Sequence, residues 1–95
     1  LSIHMGEFST TSTANRMYSR SSIHSPRSDP KASASGATCK SVPFQEEGLS
    51  ATESYDVRCI RGRVYFDMIV GVADTFEENK EQGIMLIEAI NKAMD

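Results

Sequence analysis

Residues 64–72 constrain the fold most. Val64, Phe66, Met68, Val70 and Val72 fall on one side of an extended chain, and Arg63, Tyr65, Asp67, Ile69 and Gly71 on the other. Five apolar positions in strict alternation predict a half-buried β-strand. Tyr55, Val57 and Cys59 alternate in the same way with Asp56, Arg58 and Ile60. Arg61-Gly62 between the two runs supplies a tight turn, because glycine takes positive φ without steric cost. The expected unit is an antiparallel hairpin, 54–60 with 63–73.

A helix follows. Asp74 with Glu77, or Thr75 with Glu78, has capping-box spacing, and Glu77, Glu78 and Glu81 complement a helix N-terminus. From Phe76 the apolar residues Ile84, Ile87, Ile90 and Met94 recur at helical spacing, with Gly83 on the same stripe. Leu86 and Ala93 lie alongside. Glu78, Lys80, Glu81, Glu88, Asn91, Lys92 and Asp95 form the expected solvated face. Gly83 is expected to permit close approach to the sheet or to mark a kink. The fold class is therefore α+β: a small hairpin packed by one C-terminal amphipathic helix, ββα with an optional third strand, spanning 54–95.

The other half of the chain reads differently. Fourteen of the 33 residues in 9–41 are Ser or Thr, with few large apolar side chains. Such a segment buries too little surface to offset ordering its backbone. It is expected to be a disordered Ser-rich tail, with three readings open. It is a regulatory tail, an organelle-targeting remnant, or an arm that orders along a partner. The pairs His4-Met5 and Glu7-Phe8 are dipeptides that cloning sites encode. Leu1–Phe8 is thus set aside as an expression or processing remnant. Residues 42–53, punctuated by Pro43 and Gly48, are expected to be a connector.

Charge separates the halves too. Residues 1–45 carry five basic and two acidic groups; residues 46–95 carry five basic and eleven acidic ones. The acidic half makes a poor phosphate-binding surface. Its local exception is Arg58, Arg61 and Arg63, which with Tyr65 form a candidate phosphate or base contact. A charge-balanced hairpin is the competing reading. Tyr65 and Ile69, on the second face of the hairpin, are candidate partner contacts. Ser25-Pro26 offers a proline-directed phosphorylation site, and Arg16 three residues before Ser19 offers another.

No P-loop, dinucleotide fingerprint or Cys/His metal spacing occurs in the sequence. No catalytic, cofactor-binding or metal-ligating residue is expected. Two cysteines, Cys39 and Cys59, make no disulfide scaffold by count. Free thiols in an intracellular, reducing compartment are expected, a Cys39–Cys59 bridge being the alternative. No apolar run approaches a membrane span.

The stretch Tyr55-Asp56-Val57-Arg58, Gly62, the strand Val64–Val72 and the helix after it resembles the ββα part of the cytoplasmic domain of cation diffusion facilitator transporters. The likeness covers about 40 residues. The histidines with which that family binds metal, its final strand and its membrane part are missing here. A metal-transport role is therefore not carried over.

A hairpin and one helix make a small core, and chains that small need a staple or a partner. The functional expectation is a non-catalytic protein-interaction or regulatory module, or a small accessory subunit. It would use a sheet edge and the helix, with a protein partner or a second copy in a dimer. A nucleic-acid-binding protein using the basic tail and Arg58, Arg61 and Arg63 is the alternative.

Overall fold

A computed structural model describes residues 1–20, 26–42 and 53–95. The hairpin lies at its centre: β4 (Tyr55–Arg61) and β5 (Val64–Val70) pair antiparallel, Tyr55 opposite Val70 and Arg61 opposite Val64. Gly62 takes φ +60° in the two-residue turn, which is therefore Gly62-Arg63, one residue later than expected. Val72 lies past the end of β5 and is exposed, so the apolar alternation outruns the strand.

The N-terminal half adds three strands to this hairpin. β1 (Ser2–Glu7) pairs with the outer edge of β5, and β3 (Thr38–Ser41) with the outer edge of β4. β2 (Arg27–Ser28) pairs with β3. The result is a five-stranded antiparallel sheet in the order β1-β5-β4-β3-β2. α1 (Thr11–Arg20) and the short α2 (Pro30–Ser33) lie between these strands in sequence. The described parts of 9–41 are thus not a disordered tail, and Leu1–Phe8 is not outside the fold. The described parts of the segment are ordered against the hairpin of the same chain. Small side chains suit that packing. Ala14, Ala32 and Ala37 are buried, and their size lets backbone lie close to the sheet. The connector, residues 42–53, falls mostly outside the described residues; among those described, β1, β3 and β2 extend the hairpin beyond the one optional strand.

The core lies on one face of the sheet. Tyr55, Val57, Cys59, Phe66, Met68 and Val70 point to this face and are buried beneath α3 (Phe76–Met94). Thr75 caps α3, its Oγ1 accepting from the Glu78 N–H at 3.2 Å. A Cβ at Gly83 would lie 2.6 Å from Tyr55 Cδ2, so Gly83 serves close approach. Two asparagines share the buried face of α3. Asn79 donates to the Glu53 and Ala73 carbonyls and accepts from the Ala73 N–H. Asn91, expected on the solvated face, is buried and donates to Ser35 Oγ and the Ile87 carbonyl.

Cys39 and Cys59 stand directly opposite one another on β3 and β4 and form a disulfide, so neither is a free thiol. The Cys39 N–H donates to Ser33 Oγ and its carbonyl accepts from the Asp29 N–H, both away from β4. The two cysteines therefore form a non-hydrogen-bonded pair, the closer kind of cross-strand site, with Cα atoms 4.2 Å apart. Such a bond does not fit the reducing compartment expected from the sequence. Among the described residues no helix is long and apolar enough to cross a membrane.

Candidate functional site

The three hairpin arginines do not converge. Arg58 lies on the face opposite the core, where Nη1 is 3.1 Å from Asp67 Oδ2 and Nη2 is 3.6 Å from Asp56 Oδ1. Arg61 points to the core face, bonding the Asn91 carbonyl and side chain and pairing with Asp95. Arg63 sits in the turn and pairs with Glu7 at 3.0 Å. Each therefore already meets a carboxylate. Tyr65 shares the Arg58 face, is buried, and donates to Asp67 Oδ2 at 2.9 Å. Ile69 is exposed on that face. Ser19 is exposed in the last turn of α1, and Ser25 lies outside the described residues.

Register makes the Arg58 face a transverse polar row. His4, Asp67, Arg58 and Lys40 are successive partners across β1, β5, β4 and β3. His4 Nδ1 is 3.1 Å from Asp67 Oδ1. Lys40 Nζ donates to the Tyr18 carbonyl at 2.8 Å and stands over the Tyr18 ring, which fixes α1 on this face. Burial, then the charge of Arg58, pulls the Lys40 ammonium below its ordinary range. Burial pushes the Asp56 carboxyl up, Arg58 opposing this and Asp67 adding to it. The row holds paired charges and no nucleophile beside a base.

A second polar cluster lies at the β2 end of the core. Asp29 is almost fully buried. Its carboxylate accepts from Tyr55 Oη at 2.6 Å, Ser41 Oγ at 2.7 Å and the Ala32 N–H at 3.1 Å. Burial alone would raise this carboxyl, but the three hydrogen bonds and the charge of Lys80 hold it below the usual range. Burial, then Asp29, pushes the Tyr55 phenol well up. A depression of about 340 Å³ opens beside the cluster, between Arg27, Asp29, Phe76, Glu77 and Lys80. Asp29 is also the N-cap of α2, with Pro30 in the first turn, so the cluster fixes α2 to the sheet. Among the described residues no group of three His, Cys, Asp or Glu side chains is placed to hold a metal.

Among the described residues, a strand edge and its apolar rim remain open. β5 is flanked on both sides; the outer strands are β1, of six residues, and β2, of two. The Phe8 N–H donates to the Arg63 carbonyl. By ladder alternation Ser2, His4 and Gly6 turn their backbone groups to β5, and Ile3, Met5 and Glu7 turn theirs outward. Ile3 and Met5 point to the core face but remain 41% and 55% exposed, because α3 covers β4 and β5. Val64, Ile84, Leu86 and Ile90 are half-buried against the core on the same face. The alternation of Ile3 and Met5 with Ser2, His4 and Gly6 was the sequence signal for this strand.

No family model matches the chain, and neither a curated protein nor a solved structure does. The resemblance to the transporter cytoplasmic domain gains no support from them.

Proposed function

We propose that the chain is a non-catalytic protein-interaction module, a regulatory part or small accessory subunit of a larger assembly. It takes its partner by strand addition along β1 and over the adjoining side of α3. The observation that carries this reading is the β1 edge. A strand that no described residue covers, with outward N–H and C=O groups and apolar Ile3 and Met5, is a template for one more strand. The nucleic-acid alternative draws less support, because Arg58, Arg61 and Arg63 point in separate directions and each meets a carboxylate.

Backbone parity supplies the test. Met5 turns its N–H outward, so Met5→Pro removes a donor from the open edge and none from the β1–β5 ladder. His4→Pro removes one from the ladder. A protein retained by the wild-type chain from its native extract, and lost with Met5→Pro while circular dichroism is unchanged, is the expected result. Equal retention by wild type and Met5→Pro rejects the edge as the contact surface.

A further inference from the structure

We infer that copies of this chain associate head to tail, the Met85 ridge of α3 on one copy seating in a basic-rimmed apolar slot on α1 of the next. This rests on the reading of the chain as an interaction module, but it uses surfaces other than the β1 edge.

The slot is a groove of about 150 Å³ lined by Phe8, Thr13, Arg16, Met17 and Arg20. A space of that size accepts one apolar group of about benzene size. Met17 is 45% exposed at its wall. Arg16 and Arg20, one helical turn apart, stand on the same side of α1. α1 contains no acidic residue, and neither arginine forms an ion pair among the described residues.

α3 carries the complement. Met85 is 66% exposed at the middle of its outer side. Glu81 lies one turn before it and Glu88 one turn after, so a single apolar knob stands between two carboxylates. Neither glutamate is in an ion pair among the described residues. Methionine is unbranched and adapts to irregular gaps, and its sulfur packs favourably at an aromatic edge such as Phe8.

One chain cannot make this match with itself. α1 is held on the Lys40–Arg58 face by the Lys40–Tyr18 contacts, and α3 packs on the opposite face against Tyr55 and Val70. A contact between unlike faces is heterologous, so it joins copies into a stack or ring rather than a two-fold dimer. Its charged pairs are exposed and individually weak, so the association weakens as salt rises.

Charge reversal isolates the contact. In Arg16→Glu/Arg20→Glu both surfaces are acidic; in Glu81→Arg/Glu88→Arg both are basic. All four side chains are exposed, so the fold is preserved. By sedimentation velocity across a dilution series, wild type is expected to self-associate and each variant to do so about tenfold more weakly or worse. An equimolar mixture of the two variants is expected to recover the wild-type association, since each surface then meets its opposite. Met85→Lys alone is expected to weaken wild type. A wild-type chain monomeric at every concentration, variants that associate like wild type, or a mixture that fails to recover overturns the inference. Met5→Pro separates the two readings: here it is expected to leave association intact. Association lost only with Met5→Pro would mean that copies join by their β1 edges, which refutes the α1–α3 contact while supporting the strand edge.

Discussion

Reducing the Cys39–Cys59 bond is the perturbation whose cost follows most directly from the structure. The bond joins residues 20 apart and closes the connection from β3 to β4. In the chain-entropy model a loop of that length loses roughly 11 cal/mol/K in the unfolded state, or about 3 kcal/mol at 25 °C. Reduction removes no atoms from the core, and both sulfurs lie on the buried face, so no cavity term adds to this. For a domain of this size about 3 kcal/mol corresponds to a fall of roughly 10–20 °C in Tm. The assay is urea and thermal unfolding of the oxidised chain and of the chain reduced in denaturant and refolded with excess phosphine, with thiols counted in each. Hydrogen exchange adds the location: protection is expected to fall first in β2, α2 and β3, with β4, β5 and α3 the last to open. Oxidised and reduced forms that unfold within a few tenths of a kcal/mol of each other would refute the reasoning. So would two titratable thiols in the chain unfolded without reductant.

Gly83→Ala improves helix propensity by about 1 kcal/mol yet drives a Cβ to 2.6 Å from Tyr55. A net loss of about 1–2 kcal/mol in urea unfolding is expected, and a gain would show that α3 is not seated there. Asp29 is held ionised below its unfolded pKa of about 3.9. Its contribution is full above that value and is lost as pH falls through the lower folded value. Asp29→Asn is therefore expected to lower stability at pH 7 by about 1–3 kcal/mol and to flatten the acid side of the pH–Tm curve. Asp56 is shifted the other way, so its charge opposes folding at neutral pH and the penalty lifts as pH falls. Asp56→Asn is expected to keep or raise Tm at pH 7, and a fall of more than about 1 kcal/mol would contradict this. Ser19→Glu, a mimic of phosphorylation one turn after Arg16, is expected to weaken self-association in the same sedimentation experiment while leaving circular dichroism unchanged.

The hairpin and α3 were legible because large apolar residues mark them at periods of two and about 3.6. Capping-box spacing narrowed the cap to Asp74 or Thr75, and the apolar stripe put Gly83 on the sheet-facing side, leaving close approach or a kink; the structure selects Thr75 and close approach. β3 was not, since its four residues Thr38-Cys-Lys-Ser41 carry no large apolar side chain. What holds β3 is non-local: the β4 edge, a bond from Cys39 to Cys59, and Ser41 satisfied by Asp29. Composition counted Ser41 and Asp29 as polar filler, although Asp29-Pro30 is a helix-start signal. Asn79 and Asn91 escaped because periodicity scores an amide as solvated even where backbone carbonyls receive it. The candidate surface was legible only as a need for a partner. The strand that presents it was set aside for its resemblance to cloning-site residues, and its six positions alternate too weakly to argue otherwise.

The strand order also decides when this chain can fold as it leaves the ribosome. β1 precedes the other described strands in the sequence and has β5 as its neighbour, and β3 has β4. Neither has a template until the hairpin has emerged, more than 50 residues later in the case of β1. The hairpin and α3 are sequence-local and close without long loops, so they are expected to form before the N-terminal strands pair with them. Until then the segment N-terminal to the hairpin lacks its strand partners, and its Ser- and Thr-rich composition, poor in long apolar stretches, disfavours aggregation.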